Sequence, residues 1–384
     1  MTMHADSPAG RKKIVMWLMT AMVLMVPGLA RAQVTPAAGY TPPDDTPKIN
    51  VGATIFTDYR YVSSPTAKDL DGNVINPSSF NVSRAYINVT GNISHLVAFR
   101  ITPDITRESG TGSGLNGSLT FRLKYAYAQF NLDDWMPKGT WVRFGMIQTP
   151  YIDAMEGIYR YRFQGTIFIE RNGYQASADY GVSFRTAFPQ NYGDFQVGFY
   201  NGEGYSRTLD VAPGGSTKAV MIRASLRPLP HANVLRGLRF TGFYDNDSYS
   251  KNDPRNRGVF NVTFEHKYAN LAYEYLEAKD RVTATARELQ GTGQSFFITP
   301  KKPFANGSSI EGLVRYDHMR KDTTSTTMPN NLDERWIGGV AYWFPKQGSV
   351  STALMFDLDR LQYRNYVPAK TKELTYFLHM LIAF

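Results

Sequence analysis

The side chains of this sequence that could do chemistry are mostly charged, and they occupy alternate positions of extended segments. Between residues 60 and 239 most of them are basic. The basic set is Arg60, Arg84, Arg100, Arg122, Lys124, Arg143, Arg185, Arg223 and Arg239. A row of fixed positive charges that faces water attracts anions and repels cations. These residues therefore indicate electrostatic sorting of solutes rather than bond-making chemistry.

The same alternate positions become acidic towards the end of the chain. The acidic set is Glu265, Glu274, Glu311, Asp317 and Asp357, with Arg315 as the basic exception; Asp58, Asp104 and Asp245 are the acids of the earlier part. Basic and acidic walls that face each other across a narrow pore would produce a transverse field, which orients dipolar solutes. The alternative is that these are ordinary charges that pair along one wall, and the sequence leaves both interpretations open.

Catalytic and metal-binding motifs are missing from the sequence. It contains no Cys, no G-x-S-x-G and no Ser/His/acid grouping of recognisable spacing. The histidines at 95, 231, 266, 318 and 379 are scattered without metal-ligand spacing. We therefore expect no enzyme activity, no cofactor and no metal. The net charge of +9 is mild, and no nucleic-acid-binding module accompanies it.

The charged residues lie in segments in which apolar and polar side chains alternate with a period of two, and these segments must position the charges. In one of them, Leu119, Phe121, Leu123, Tyr125 and Tyr127 share a face opposite Thr120, Arg122, Lys124, Ala126 and Ala128. A pleated strand with this pattern meets an apolar environment on one side and water on the other. Sixteen such segments lie near 50–61, 80–90, 97–104, 119–130, 141–148, 180–188, 195–201, 218–226, 238–245, 258–267, 269–278, 294–299, 309–318, 335–344, 350–358 and 374–384.

The connections between these segments alternate between long and short. Long ones include 62–79, 149–179 and 202–217, and short ones include 91–96 and 267–268. Outer-membrane barrels have an even number of strands, long extracellular loops and short periplasmic turns. Closure leaves no unpaired backbone edge in lipid. The sequence therefore predicts an all-β fold, a transmembrane antiparallel β-barrel of 16 strands over residues 49–384.

The start of the chain has the features of a secretory signal peptide, predicted over residues 1–32. Arg11-Lys12-Lys13 precedes an apolar run, and Ala30-Arg31-Ala32 forms the cleavage pattern. The apolar run is shorter than the roughly 20 residues that span a bilayer; an uncleaved anchor is the alternative. Residues 33–48 are Pro-rich and are predicted to form a periplasmic lead-in. The mature chain is expected in the bacterial outer membrane, in contact with its lipid.

The last strand carries a further signal. Tyr376, Leu378, Met380, Ile382 and the final Phe384 fall on one face. This pattern resembles the C-terminal strand of outer-membrane proteins. The resemblance implies that the barrel-assembly machinery reads Phe384 as an assembly signal.

The connection 149–179 is unusually aromatic and apolar for a loop in solvent. Its charged residues are Glu156, Arg160, Arg162, Glu170 and Arg171, together with Asp153. A location inside the barrel would explain this composition. The loop either packs against the inner wall or contacts solutes directly.

Two stretches resemble the phosphate-selective porin O/P family. They are residues 145–150 with Glu156, 168–171 and 181–182, and residues 295–300 with Glu311 and 315–317. The spacing holds across roughly residues 80–384. The resemblance implies a homotrimeric, sixteen-stranded diffusion channel, often anion-selective, with an inward-folded constriction loop after strand 5. The chain departs from the family's pattern in two places: Pro300-Lys301-Lys302 stands where a Gly-Glu pair is usual, and the loop carries the extra run Tyr159-Arg160-Tyr161-Arg162.

The leading hypothesis is passive diffusion of small hydrophilic solutes with a bias towards anions, phosphate-type anions included. Alternatives are a general non-selective porin, a barrel enzyme such as a lipase, and an adhesion barrel with a plugged interior. The predicted partners are small anionic solutes, outer-membrane lipid, the assembly machinery and two further copies of the chain. No nucleic acid is expected.

Overall fold

The computed structural model describes residues 45–108, 114–206, 217–328 and 330–384. The predicted signal peptide and the first part of the lead-in, residues 1–44, lie outside them. Within the described residues, no helix combines the length and the apolar character needed to cross a membrane.

Sixteen long strands follow one another along the described chain, and each matches one of the predicted segments. They are β1 (Lys48–Ser64), β2 (Ser78–Asn92), β3 (Val97–Arg107), β4 (Leu119–Asn131), β5 (Trp141–Gln148), β6 (Ala178–Ala187), β7 (Gly193–Tyr200), β8 (Ala219–Leu226), β9 (Leu238–Asn246), β10 (Asp253–His266), β11 (Ala269–Asp280), β12 (Leu289–Pro303), β13 (Ser309–Arg320), β14 (Leu332–Trp343), β15 (Ser351–Arg364) and β16 (Glu373–Ala383). A short strand, Ser248–Ser250, pairs with β10, and Ala67–Lys68 pairs with Val74–Ile75 inside the first long connection. The sixteen-strand prediction is confirmed.

The sheet closes on itself because β1 pairs with both β2 and β16. Thr54 lies opposite Tyr86 on one side, and Tyr59 lies opposite Leu378 on the other. Phe384 extends the seam: its amide donates to Ala53 O and its carbonyl accepts from Ala53 N, both at 3.0 Å. A Cβ at Gly52 would stand 2.2 Å from Phe384 O, so glycine lets the chain end approach β1.

Deleting Phe384 is expected to lower the yield of folded barrel in the membrane fraction. The deletion removes two seam hydrogen bonds and the terminal aromatic side chain. Heat-modifiable gel mobility of membrane fractions measures the yield. Phe384→Tyr keeps the backbone and an aromatic ring and is expected to behave as the parent. Equal yields from the deletion and the parent would contradict the assembly role.

The loop alternation is also present in the structure. Residues 149–177 and 201–218 connect strands at one end, and residues 93–96 and 267–268 connect them at the other. The chain termini of the barrel lie at the short-turn end, because Lys48 pairs with Asn92. This arrangement is that of outer-membrane barrels, with long loops outside and short turns in the periplasm.

The prediction that Tyr125 and Tyr127 share the outer face of β4 with Phe121 is wrong. In the pairing of β3 with β4, Thr102 lies opposite Tyr125 and Pro103 opposite Leu123, so Lys124 is an extra residue. Such a bulge inverts the alternation, and Pro103, which has no N–H, suits it. Phe121 is 64% exposed on the outer face, whereas Tyr125 is only 5% exposed and, with Tyr127, turns towards the barrel interior.

The apolar core lies inside the barrel, on one side of it. Side chains of the connection 149–177 pack against inward-facing side chains of the later strands. The ring pairs are Tyr151 with Phe243, Tyr159 with Phe297, and Phe163 with Trp343, at centroid distances of 5.4, 5.1 and 6.0 Å. The sequence pattern alone assigns this inner face to polar residues, so the loop explains the apolar side chains found there.

Candidate functional site

The connection between β5 and β6 is fixed by hydrogen bonds between its two ends and by burial of its apolar side chains. Thr149 N donates to Ser177 O at 3.2 Å, and the Thr149 hydroxyl donates to Ala176 O at 2.7 Å. A helix, α1 (Pro150–Glu156), follows with proline at its start, where a missing N–H costs least. A second short helix is α2 (Phe168–Arg171). The segment returns to β6 with most of its apolar side chains fully buried.

The charged residues of this connection are all in ion pairs. Arg160 contacts Glu311 at 3.1 Å and stacks on Trp343. Arg162 bridges Glu156 at 2.9 Å and Glu170 at 2.7 Å. Arg171 contacts Asp359 at 3.3 Å, and burial lowers the pKa of its guanidinium to about 10, so it stays charged at neutral pH. Arg160 and Arg171 thus anchor the segment to the barrel wall, whereas Arg162, Glu156 and Glu170 compensate one another within it.

Glu156 remains ionised inside the barrel. Burial raises the pKa of this carboxyl, but Arg162 and Lys124 act against burial and bring the pKa below its ordinary value. Arg162 therefore keeps a charged partner on the loop side of the interior.

The acidic residues of the later strands are buried, and the loop contacts Glu311 directly through Arg160 and Tyr161. Glu265, Glu274, Glu311 and Asp317 are each at most 4% exposed. Glu265 pairs with Arg239 at 3.1 Å, and Asp317 pairs with Arg315 at 2.8 Å. The geometry therefore favours paired charges along one wall over an acidic wall that faces open water.

The basic residues of the early strands border the space that the loop leaves free. A cavity of about 290 Å³ is lined by Arg60, Arg84 and Arg162 among others. A second cavity of about 200 Å³ is lined by Arg100, Lys124 and again Arg162, with Asp153 and Glu156. The first cavity lies between the loop and strands β1, β2 and β16, and the second lies between the loop and strands β1 to β4. Arg162 is the basic residue that they share.

Arg60 and Arg100 form no ion pair among the described residues. Arg60 donates to the Ser79 hydroxyl at 3.1 Å. Arg100 donates to Asn88 at 3.0 Å, and its guanidinium lies 4.4 Å from the centre of the Tyr125 ring. Hydrogen bonds and aromatic faces hold these cations in place without neutralising them. They are fixed positive charges beside the free space.

Arg84 and Arg122 share a single carboxylate. Each contacts Asp104 at 3.1 Å, and each also donates to the Tyr205 hydroxyl, at 3.3 and 3.1 Å. Two guanidiniums on one carboxylate leave a net positive charge. Tyr205 belongs to the connection after β7, and no pattern in the sequence singles it out.

Lys124 differs from its predicted neighbours because it is buried. Its ammonium lies 4.9 Å from the centre of the Tyr86 ring and 5.1 Å from that of Tyr125. The bulge in β4 creates this cation–π contact by turning Tyr125 inward.

The remaining predicted basic residues are buried and paired. Arg185 and Arg223 share Asp194 at 2.9 and 2.6 Å. Arg143 donates to Gln129 at 2.8 Å and lies 3.8 Å from Asp153. Only part of the predicted basic row therefore borders free space, and Asp194 is a partner that the sequence reasoning missed.

Comparison with solved structures gives the same barrel architecture at low sequence identity. The anion-selective porin from Comamonas acidovorans superposes with a TM-score of 0.56 at 12% identity, covering 88% of this chain and 100% of that one. The OmpF of Salmonella typhi, in complex with daunomycin, gives 0.60 at 11%, covering 88% and 98%. The channel DcaP of Acinetobacter baumannii gives 0.54 at 10%, covering 90% and 100%. The chain has the porin fold. No protein-family model matches the sequence, and no curated protein matches it.

Within this porin fold, the site offers fixed charge and hydrogen-bond donors rather than reactive groups. In the parts of the chain that the structure describes, no group of three or more His, Cys, Asp or Glu side chains is arranged to hold a metal ion. The free space has a basic border from β1 to β4 and a loop on its other side. An arrangement of this kind acts on a charged solute by attraction and repulsion.

Proposed function

We propose that the protein is an outer-membrane porin through which small hydrophilic solutes diffuse passively, with a preference for anions. The observation that carries the proposal is that basic and acidic side chains differ in their exposure to the free space inside the barrel. Basic side chains of β1 to β4 border the free space, whereas Glu265, Glu311 and Asp317 are buried and paired, and Glu274 is also buried. The solute that diffuses through therefore meets an excess of positive charge.

The physical basis is the charge balance beside the two cavities. Arg60 and Arg100 add two cations without an ion pair, and the pair Arg84 and Arg122 adds one more after Asp104 is counted. Asp58 lines the same cavity as Arg60 and offsets one of these three charges, so the balance stays positive. In a narrow space with low-dielectric walls, such charges focus the field and concentrate anions. Phosphate-type anions belong to the proposed solutes, since guanidiniums bind phosphate oxygens well.

The connection 149–177 is proposed as the constriction of this pore. Its body is fixed to the wall by buried rings, and Arg162 and Glu156 stand at its free side. Arg162 lines both cavities, so we assign it to the narrowest part together with Arg84 and Arg100.

The proposal includes the cellular setting. Residues 1–32 would be cleaved as a signal peptide, residues 33–48 would remain in the periplasm, and Phe384 would be read by the assembly machinery. The outer face suits lipid, as large apolar side chains such as Phe80, Phe121, Phe144 and Phe356 are exposed there. We also propose a homotrimer, as the family resemblance implies, which chemical cross-linking in native membranes tests.

Purified protein in a planar bilayer under a potassium chloride gradient tests the function. The reversal potential is expected to show chloride passing more easily than potassium, and added phosphate is expected to reduce the chloride current. A reversal potential near zero would favour a general non-selective porin. A cation preference, or no conductance, would contradict the proposal.

A further inference from the structure

A separate polar cavity lies at the long-loop end of the barrel. It has a volume of about 240 Å³ and shares no lining residue with the two cavities beside the basic strands. Its walls are formed by Tyr174 and Gln175 near the end of the connection 149–177, by Gly202 and Glu203 at the start of the next long connection, and by the ends of several strands. A solute arriving from outside would meet this cavity before the narrow part.

Two buried acceptors in the cavity wall have no donor. Asp245 is 5% exposed and Gln175 is 8% exposed, and both line the cavity. Among the described residues, Asp245 Oδ1 and Gln175 Oε1 have no hydrogen-bond partner. The amide nitrogen of Gln175 is turned towards the Met221 sulfur, at 3.5 Å. Because buried polar atoms are nearly always satisfied in folded proteins, two orphaned acceptors in one cavity indicate a missing donor.

The charge of the cavity wall is negative on balance. Four carboxylates line it, those of Asp179, Glu203, Asp245 and Asp247, against two guanidiniums. Arg255 pairs with Asp247 and with Glu203. Arg257 is turned to Asp280 at 2.7 Å and to Tyr174 O at 3.0 Å.

The other two carboxylates have no ion pair among the described residues. Asp179 accepts hydrogen bonds from backbone amides, among them Gly202 N and its own neighbour Tyr180 N, both at 2.7 Å. The two guanidiniums of the wall are already engaged elsewhere. Asp179 and Asp245 therefore leave the cavity with uncompensated negative charge.

We propose that this cavity binds the ammonium group of a small organic cation. One N–H donates to Asp245 Oδ1 and a second to Gln175 Oε1, while the charge of Asp179 adds attraction. An ammonium carries three donors and no acceptor, which complements a wall that has acceptors without donors. A divalent metal fits less well, because the described residues contain no grouping of three acidic or His ligands arranged for one. The volume corresponds to about eight waters, which is enough for a short-chain amine.

Isothermal titration of the full-length protein in detergent tests the inference with two cations that differ in their donors. Ethylammonium is expected to bind saturably. Tetramethylammonium has the same charge but no N–H, and is expected to bind about tenfold more weakly or worse, because the charged hydrogen bonds are lost. No saturable binding of ethylammonium, or equal binding of the two cations, would overturn the proposal. Calcium binding in place of ethylammonium would also overturn it.

Variants assign the binding to the cavity. Asp245→Asn is expected to weaken ethylammonium binding about tenfold, whereas Asp69→Asn, in the exposed connection after β1, is expected to leave it unchanged. Gln175→Glu adds a carboxylate and is expected to strengthen binding, which keeps the test decisive if Asp245→Asn folds poorly. Unchanged binding in both cavity variants would contradict the assignment.

Binding and conductance are measured on the same preparation. A protein that conducts with the expected anion preference but fails to bind ethylammonium would refute this inference alone. A protein that binds ethylammonium but does not conduct would refute the proposed porin function and leave the site.

Discussion

Replacing Arg60 and Arg100 together with glutamate is expected to turn the anion preference of the channel into a cation preference. Both side chains border free space, and neither forms an ion pair among the described residues. The double replacement changes the local charge by four units without breaking a salt bridge. The ratio of chloride to potassium permeability is expected to fall about tenfold at low salt, the lower end of what focused surface charge achieves.

The salt dependence of this effect provides a second readout. The difference between variant and parent is expected to shrink in 1 M salt, where the Debye length is about 3 Å. The matched control is Lys138→Glu with Lys267→Glu, which alters net charge equally but at exposed turns of the short-turn end. An equal shift in the control would mean that overall charge, not the interior, sets the preference.

Arg122 and Lys124 are less suitable for this test than their positions in the sequence indicate. Arg122 holds Asp104 jointly with Arg84, and the Lys124 ammonium is enclosed by Tyr86 and Tyr125. Replacing either with glutamate would bring like charges together or bury a carboxylate among rings. A change in selectivity would then be mixed with a change in folding.

The strands could be predicted because lipid imposes strict requirements on the sequence. Every second side chain of a strand faces lipid and must be apolar, and each strand must pair on both sides so that the barrel closes. The connections are long at the extracellular end and short at the periplasmic end. All sixteen segments therefore correspond to strands of the structure. The inward direction of most charged residues, such as Arg223 and Asp317, follows from the same alternation.

The exposure of those residues could not be predicted, because alternation gives a direction but not the surroundings. Glu311 and Asp317 face inward as expected, yet a loop about 150 residues away in sequence covers them through Tyr161, Arg160 and Thr166. The bulge at Lys124 likewise leaves no trace in the pattern, since a strand with one extra residue still alternates on either side of it. Contacts such as Tyr205 with Arg122 arise only once the barrel closes.

Arg315→Ala is expected to destabilise the barrel by about 3–5 kcal/mol, the cost of leaving a buried charge without its partner. Arg315 is 1% exposed, and two of its nitrogens contact the two oxygens of Asp317 at 2.8 Å. Its third nitrogen donates to Thr166 O at 2.8 Å, so the same side chain fastens the loop to β13. Urea unfolding in lipid vesicles measures the loss, and single-channel recording is expected to show larger, noisier currents from a loosened loop.

A double variant separates the two roles of Arg315. Arg315→Ala with Asp317→Ala removes the uncompensated carboxylate, so most of the lost free energy of unfolding is expected to return. The currents are expected to stay noisy, because the contact with Thr166 is still missing. Arg287→Ala, which breaks an exposed pair with Asp322, serves as the control and is expected to change stability little. Quiet currents in the double variant would mean that the buried rings alone hold the loop, and that Arg315 serves only to neutralise Asp317.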